Sequence, residues 1–201
     1  MNVRIPGAQL ISLLVAISFA AGLNVYATVA TLGLLAHMGW IELPPALHLL
    51  ASWWIIAVAG ALFAVEFVAD KIPVFDLLWN ALHTFIRVPV AALIAYGATA
   101  QLSPGQQVLA TLAGGAIALA AHGGKTAVRA AVTPSPEPFS NMALSAGEDV
   151  LAVFLTWFST FHPYIGAGIV VGLLVLIVLF ARWVVRSLRR LFTDAEHELA
   201  K

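Results

Sequence analysis

The few charged side chains of this chain lie inside or directly against long apolar stretches, and this placement strongly constrains the fold. The 201 residues are 61% hydrophobic and 10% charged, whereas a soluble domain carries about 25% charged residues. Ionisable groups at membrane depth are costly, so they usually pair, face the interior of a helical bundle and serve a function. The composition therefore predicts an integral membrane protein with a polar interior.

The composition also argues against several kinds of site. The formal net charge is zero, so no excess of positive charge indicates binding of nucleic acid. The chain contains no cysteine, which excludes disulfides, thiol catalysis and cysteine metal sites. We expect no cofactor, and the sequence leaves open whether a metal ion binds.

Apolar segments of about 20 residues are long enough to cross the hydrocarbon core of a bilayer. Six segments reach or approach this length, and proline-containing breaks separate them. We therefore predict an all-α fold, a polytopic transmembrane helical bundle of about six spans over residues 1–185, followed by a cytoplasmic helical tail over residues 186–201. The predicted spans are Gln9–Ala36, Leu50–Asp70, Leu77–Ala98, Gln107–Ala130, Asn141–Phe161 and Tyr164–Val185.

Basic residues in short loops mark the cytoplasmic side of a membrane protein. With six spans, the basic residues of the loops and of the tail all fall on one side, while the opposite loops carry Glu42 and three histidines. This agreement favours a bacterial inner-membrane protein with both termini in the cytoplasm. The first 27 residues imitate a cleaved secretory signal, but their apolar run continues to Leu35, which is long for such a signal.

The C-terminal stretch over residues 182–201 carries arginines at helical spacing, and these suggest contact with lipid. They suit either a basic surface helix that binds anionic lipid head groups or a simple anchor on the cytoplasmic side. Because six short spans leave little room for a solute path in one chain, we also expect a homo-oligomer in the bilayer. The arginines are Arg182, Arg186, Arg189 and Arg190.

Several predicted helices have one half in which polar residues follow a single face. Asp76, Asn80, His83 and Arg87 are spaced by four, three and four residues, which places them on one helical face. Similar stripes end the second and fourth segments and begin the fifth. The predicted site residues are Asn24, Glu66, Asp70, Lys71, Asp76, Asn80, Arg87, His122, Lys125, Arg129, Asn141, Glu148 and Asp149.

Acidic and basic residues nearly balance within these stripes, and an isolated charge there would cost several kcal/mol. We therefore expect ion pairs between helices and a water-filled vestibule that opens to the cytoplasm. Alternatively, charges near helix ends lie at the interface, with lysine and arginine extending toward water. The favoured pairs are Arg87 with Asp149, and Lys125 or Arg129 with Glu66 or Asp70.

The first segment is interrupted at Gly22-Leu23-Asn24. A buried amide beside a glycine indicates either a broken helix, whose freed backbone binds an ion or substrate, or a close contact between two helices that the asparagine stabilises. The sequence leaves both interpretations open.

Two parts of the chain suggest a duplication. The second and third segments, with their charged link, resemble the fourth and fifth, and both links contain a proline followed by an aromatic residue, at Pro73 to Phe75 and at Pro138-Phe139. We expect a parallel internal repeat of helical hairpins, related by an axis along the membrane normal.

Four short strings occur together at residues 21–26 (AGLNVY), 67–73 (FVADKIP), 122–125 (HGGK) and 135–141 (SPEPFSN). As a set they resemble a bacterial integral-membrane family known as domain of unknown function 4126. The resemblance covers roughly the first to the fifth helix. It implies a multi-span inner-membrane protein and implies no particular activity.

Three functions are compatible with this pattern. The leading hypothesis is a small transporter or channel for an ion or small solute, because polar residues would line a vestibule with Asn24 near the midplane. The second is a membrane scaffold or assembly protein, in which charge pairs fix the packing of helices. The third is an enzyme acting on lipid or isoprenoid phosphates, in which Glu148 or Asp149 acts as a base and the phosphate is bound by Lys71, Arg87, Lys125 and Arg129. The chain has no HExxH or GxSxG motif to favour this third hypothesis.

Overall fold

The computed structural model describes residues 7–69, 73–132 and 138–199, in which the regular structure is helical. This confirms the predicted all-α class. Asp70 and Lys71 lie outside the described residues, as do the side chains of Asp76, Asn80 and Asn141. The helices are α1 (Gly7–Leu23), α2 (Val25–His37), the short 3₁₀ helix η1 (Pro45–Ala51), α3 (Trp53–Ala69), α4 (Pro73–Ala98), α5 (Pro104–Val132), α6 (Pro138–Phe161) and α7 (Pro163–Leu199).

Proline sets the start of the last four helices. Pro73, Pro104, Pro138 and Pro163 are the first residues of α4, α5, α6 and α7. The first turn of a helix does not use the missing N–H, and the fixed backbone angle of proline already suits a helix. The breaks that the sequence places at these prolines are therefore confirmed.

The helices from α3 onward alternate in direction between two ends of the bundle. We call one the η1 end, where Leu47 of η1 packs against Gly97 near the end of α4. The starts of α5 and α7 belong to this end. The opposite end, which we call the C-terminal end, contains the starts of α4 and α6 and the last part of α7.

The first two helices form a hairpin that turns at Asn24, which we call the N-terminal hairpin. Leu10 and Leu14 of α1 pack with Ala95 and Ala98 of α4 at the η1 end. Helix α2 returns to the same end, where the Nδ1 atom of His37 lies 2.9 Å from the carbonyl oxygen of Ala51. The predicted first span over residues 9–36 therefore consists of two helices folded together, and they separate at the interruption that the sequence shows at residues 22–24. Hydropathy alone does not separate a straight helix from two shorter ones folded together.

The turn of the hairpin lies near the middle of the bundle. Asn24 contacts Asp149, which precedes Phe161, the last residue of α6, by twelve residues or about 18 Å along the helix. A hydrocarbon core is about 30 Å thick. The hairpin thus enters from the η1 end and turns back about 18 Å from the end of α6.

Helix α1 lies at the centre, against α4, α5, α6 and α7. Its Phe19 is buried in the main apolar cluster together with Leu155 of α6 and Val170 of α7. A Cβ atom on Gly22 would lie only 2.8 Å from the Cα atom of Ala118, so the backbones of α1 and α5 approach closely at this glycine.

Within the described residues, three helical segments are long and apolar enough to cross a membrane: Pro104–Arg129, Met142–Phe161 and Pro163–Ser187. Helices η1 and α3, bent by 63° at the break between them, become a fourth if taken as one span. The apolar part of α4 and both hairpin helices are shorter. Membrane-crossing helices are thus supported, whereas six spans and the parallel repeat stay predictions.

Candidate functional site

Asn24 holds the turn of the N-terminal hairpin by two side-chain hydrogen bonds. It has extended backbone angles, and its Oδ1 atom accepts a hydrogen bond of 2.9 Å from the backbone N–H of Ala27, which caps the start of α2. Its Nδ2 atom donates a hydrogen bond of 2.8 Å to Oδ1 of Asp149 in α6. One fully buried amide therefore starts a helix and also fixes that helix to the bundle.

The break also frees carbonyl groups at the end of α1, since the last carbonyls of a helix have no partner within it. The Nζ atom of Lys125 donates to the carbonyl oxygen of Leu23 at 3.3 Å and lies 3.1 Å from Oε2 of Glu148. A cation at a helix C-terminus interacts favourably with the helix dipole. Lys125 thus joins the end of α1 to a carboxylate of α6.

Glu148 lies between two cationic side chains of α5. Its Oε2 atom accepts a hydrogen bond of 2.7 Å from Nη2 of Arg129 as well as the contact from Lys125. The side chain of Lys125 is fully buried and that of Arg129 nearly so, whereas 13% of the Glu148 side chain is exposed. Burial makes these contacts stronger than surface ion pairs, but it also makes the loss of one partner costly.

A second group of polar residues connects α3, α4 and α5. The fully buried guanidinium of Arg87 donates from Nη2 to Oε1 of Glu66 and from Nη1 to Nδ1 of His122 at 2.9 Å. Arginine can only donate, so Nδ1 of His122 must be the acceptor and Nε2 carries the proton. That Nε2 atom lies 2.8 Å from Oγ1 of Thr84, to which it can donate. This geometry requires a neutral histidine.

Tyr26 and His83 link the N-terminal hairpin to α4. The Nε2 atom of His83 lies 3.1 Å from the hydroxyl oxygen of Tyr26, and the two rings meet edge to face. Neither residue is among the predicted site residues, and nor is Thr84. The signal available in the sequence is weak: Tyr26 is two residues from Asn24, and His83 lies on the polar face that includes Arg87.

The structure brings eight of the predicted site residues into two groups, one around Asn24 and Glu148 and one around Arg87. Together we call them the polar core. No three histidine, aspartate or glutamate side chains come close enough to hold a metal ion within the part of the chain that the structure describes. The vestibule stays a prediction, as does a functional role for any of these residues. The eight are Asn24, Glu66, Arg87, His122, Lys125, Arg129, Glu148 and Asp149.

The predicted pairing of Arg87 with Asp149 is wrong. Arg87 contacts Glu66 and His122, and Asp149 accepts a hydrogen bond from Asn24. Spacing along one helix shows which residues share a face, but it does not show how high or at what rotation a neighbouring helix packs. Lys125 shares Glu148 with a second cation, an arrangement that the sequence did not favour.

Comparison with known proteins gives one match. A family model described as Domain of unknown function (DUF4126) matches residues 11–183. No curated protein and no solved structure matches the chain. The match covers the N-terminal hairpin from residue 11 onward, the whole polar core and the first part of α7.

Proposed function

The chain belongs to the family of unknown function DUF4126, and we propose that it moves an ion or a small solute across a membrane. The observation that carries this proposal is the break at Leu23-Asn24, where an interrupted backbone meets charged residues near the middle of the bundle. Non-helical backbone at membrane depth is tolerated only where protein buries it or where it lines a water-filled cavity.

Interrupted helices are a recurring way to build transport sites. The ends of half-helices present free backbone groups and partial charges near the bilayer midplane, where ions and charged solutes bind. In this chain, the carbonyl of Leu23, the amide of Asn24 and the side chains of Lys125 and Asp149 meet at such a point. These groups include one positive and one negative side chain. A charged solute could therefore replace one of their contacts within the protein.

The same fold suggests an orientation. Arg129, Arg182 and Arg186 lie toward the C-terminal end of the bundle, so the positive-inside rule places that end in the cytoplasm. The N-terminal hairpin then enters from the opposite side, and the start of α1 lies there too. This proposal replaces the expectation that both termini are cytoplasmic. The inner membrane of a bacterium remains the proposed location.

The orientation can be tested because the chain is a cysteine-free background. Gln9→Cys and Ser187→Cys, each as the single cysteine, should react with a membrane-impermeant maleimide from opposite sides of oriented vesicles. Labelling of both positions from the same side would contradict the orientation and favour six spans.

Transport is tested by flux into liposomes that contain the purified protein, over a panel of inorganic ions and small organic solutes. We expect the wild type to move at least one of them and Lys125→Met to abolish that flux. Thr111→Val is the matched control, because the Thr111 hydroxyl bonds only within its own helix, to Gln107 at 2.7 Å. A folded wild type that moves nothing on the panel would contradict the proposal.

A second candidate function is a membrane scaffold whose charge pairs fix the packing of helices. The observation that favours it is that the contacts of Glu66, Arg87 and His122 each join different helices. The variant Lys125→Met with Glu148→Gln separates the two functions, since it removes one charge of each sign while leaving Arg129 an acceptor. A scaffold should keep its stability and cellular phenotype, whereas a transporter should fold and lose flux.

We also propose that the exposed arginines of α7 bind anionic lipid and that the protein works as a homo-oligomer. Arg182, Arg186 and Arg189 are exposed in the second half of α7, and basic side chains there attract negatively charged head groups. We expect the wild type to melt at a higher temperature in phosphatidylglycerol nanodiscs than in phosphatidylcholine nanodiscs. The double variant Arg186→Gln with Arg189→Gln should lose this difference. Native mass spectrometry of the same samples tests the oligomer, and a single-chain mass would contradict it.

A further inference from the structure

A cavity of about 540 Å³ lies at the η1 end, outside the polar core. The N-terminal hairpin, the end of α4 and residues 41–48 surround it. Leu10 and Ile17 both line it and are seven residues apart, so the cavity extends about 10 Å along α1. Sites for small molecules usually have volumes of about 300–1,000 Å³. The cavity is therefore large enough to hold a ligand.

The inner wall of this cavity is apolar. Leu13 and Ile17 of α1 and Leu32 of α2 are buried there. Among the described residues that line the cavity, the buried one with a polar side chain is Thr160, whose hydroxyl donates to the carbonyl oxygen of Trp157 at 2.6 Å. Cavities with apolar walls stay free of water and take up apolar ligands instead. The interior therefore suits hydrocarbon.

The mouth of the cavity is formed by exposed polar residues. Glu42, His48 and Gln101 line the cavity and are exposed, in contrast to the buried wall residues. They belong to η1 and to the segments that connect helices at the η1 end. The cavity therefore opens at the η1 end and continues inward between α1, α2 and α4.

Exposed aromatic side chains mark the level of this mouth in a membrane. Trp54, Tyr96 and Tyr164 are exposed at the start of α3, near the end of α4 and at the start of α7. Tryptophan and tyrosine concentrate at the two membrane–water interfaces. Trp183, also exposed, follows Tyr164 by nineteen residues or about 28 Å along α7, which matches a hydrocarbon core of about 30 Å. The mouth thus lies at one interface, and the apolar interior lies at the depth of the lipid acyl chains.

We propose that the η1-end cavity binds an acyl chain of a bilayer phospholipid, whose head group stays at the mouth. A bilayer lipid is the occupant because the cavity opens at the level where acyl chains begin and its wall is as apolar as the bilayer interior beside it. Apolar contact alone retains the chain, so binding requires no particular charge at the mouth. Binding is also independent of the proposed transport function.

The test uses the full chain in phosphatidylcholine nanodiscs, in which a small part of the lipid carries a photoactivatable diazirine in one acyl chain. After irradiation, mass spectrometry of peptides locates the labelled residues. We expect labelling of Leu13, Ile17 and Leu32, which are buried and which lipids around the bundle cannot reach. Phe19 and Leu155, buried in the main apolar cluster and outside the cavity lining, are the matched controls and should stay unlabelled.

A pair of variants tests the position of the chain. Leu32→Trp places a larger side chain in the cavity and should lower the labelling of Leu13 and Ile17 severalfold. Leu112→Trp, at a side chain that is 65% exposed on α5, should leave that labelling unchanged. If Leu32→Trp fails to fold, the labelling pattern of the wild type still decides, because it requires no variant.

Three results would overturn the proposal: labelling confined to exposed residues such as Leu112, labelling of Phe19 as strong as that of Leu13, or labelling of Leu13 that Leu32→Trp does not reduce. The experiment does not measure flux, so the lipid site and the transport function fail separately. Labelled wall residues in a protein that moves no solute would support the lipid site and contradict transport alone.

Discussion

Replacement of Asn24 by alanine should destabilise the bundle more than the loss of an ordinary helix cap. The side chain makes two bonds that alanine cannot make, one of 2.9 Å from the N–H of Ala27 and one of 2.8 Å to Asp149. The first is a cap bond, whose loss typically costs about 1 kcal/mol. The second is a buried hydrogen bond to a charged group, which contributes about 1.5–3 kcal/mol. Together they predict a loss of about 2.5–4 kcal/mol in the free energy of unfolding.

The matched control is Ser52→Ala, which removes a cap bond but no hydrogen bond to a buried carboxylate like that of Asp149. The Oγ atom of Ser52 accepts a long hydrogen bond of 3.4 Å from the N–H of Ile55 at the start of α3. Its loss should cost at most about 1 kcal/mol. Both free energies can be measured by equilibrium unfolding in mixed micelles of a mild detergent and dodecyl sulfate, with helical circular dichroism as the signal.

A third variant, Asn24→Asp, keeps the cap acceptor but places a second carboxyl group against Asp149. We expect it to be at least as destabilising as the alanine variant at neutral pH, because two buried carboxylates repel one another. If Asn24→Ala costs no more than Ser52→Ala, the contact with Asp149 contributes nothing, and the assignment of the hairpin turn to this contact is refuted.

Two further predictions follow from the packing and the charges. Gly22→Ala should cost about 1–3 kcal/mol because its Cβ would meet the backbone of Ala118, whereas Gly123→Ala, with nothing within 4 Å, should be neutral or stabilising; equal effects on unfolding would contradict the close approach of α1 and α5. Arg87→Met should cost about 3–5 kcal/mol because it leaves the Glu66 carboxylate buried without this cation. Adding Glu66→Leu should recover most of that loss in the same unfolding measurement, and a double variant as unstable as the single one would argue against this pairing.

Much of the helical organisation could be predicted from residue types. Prolines begin four helices where the sequence suggests breaks, because the missing N–H and the fixed backbone angle act locally. The interruption beside Asn24 is also a local property, since the side chain of asparagine can cap the next helix. The structure confirms the break at Asn24 and a close helix contact at Gly22, whereas the binding of an ion or substrate by the freed backbone stays a prediction.

The arrangement of the helices could not be predicted in the same way. The direction that α2 takes after Asn24 depends on the shape of the space between α1 and α3, which no local pattern encodes. The partner of Arg87 depends on the relative height and rotation of three helices, and Glu66 and Asp149 are equally plausible by charge alone. Membership of the polar core was therefore largely predictable, whereas its pairing was not.

The hairpin also has a consequence for the order in which the protein is made. Asn24 bonds to a residue 125 positions later in the chain, and ribosomes add about 5–20 residues per second, so about 6–25 s separate the synthesis of the two partners. During that interval α1 and α2 lack the later helices that enclose them in the finished bundle. The hairpin, which is made before α3 to α7, therefore reaches its final packing only once α6 is in place.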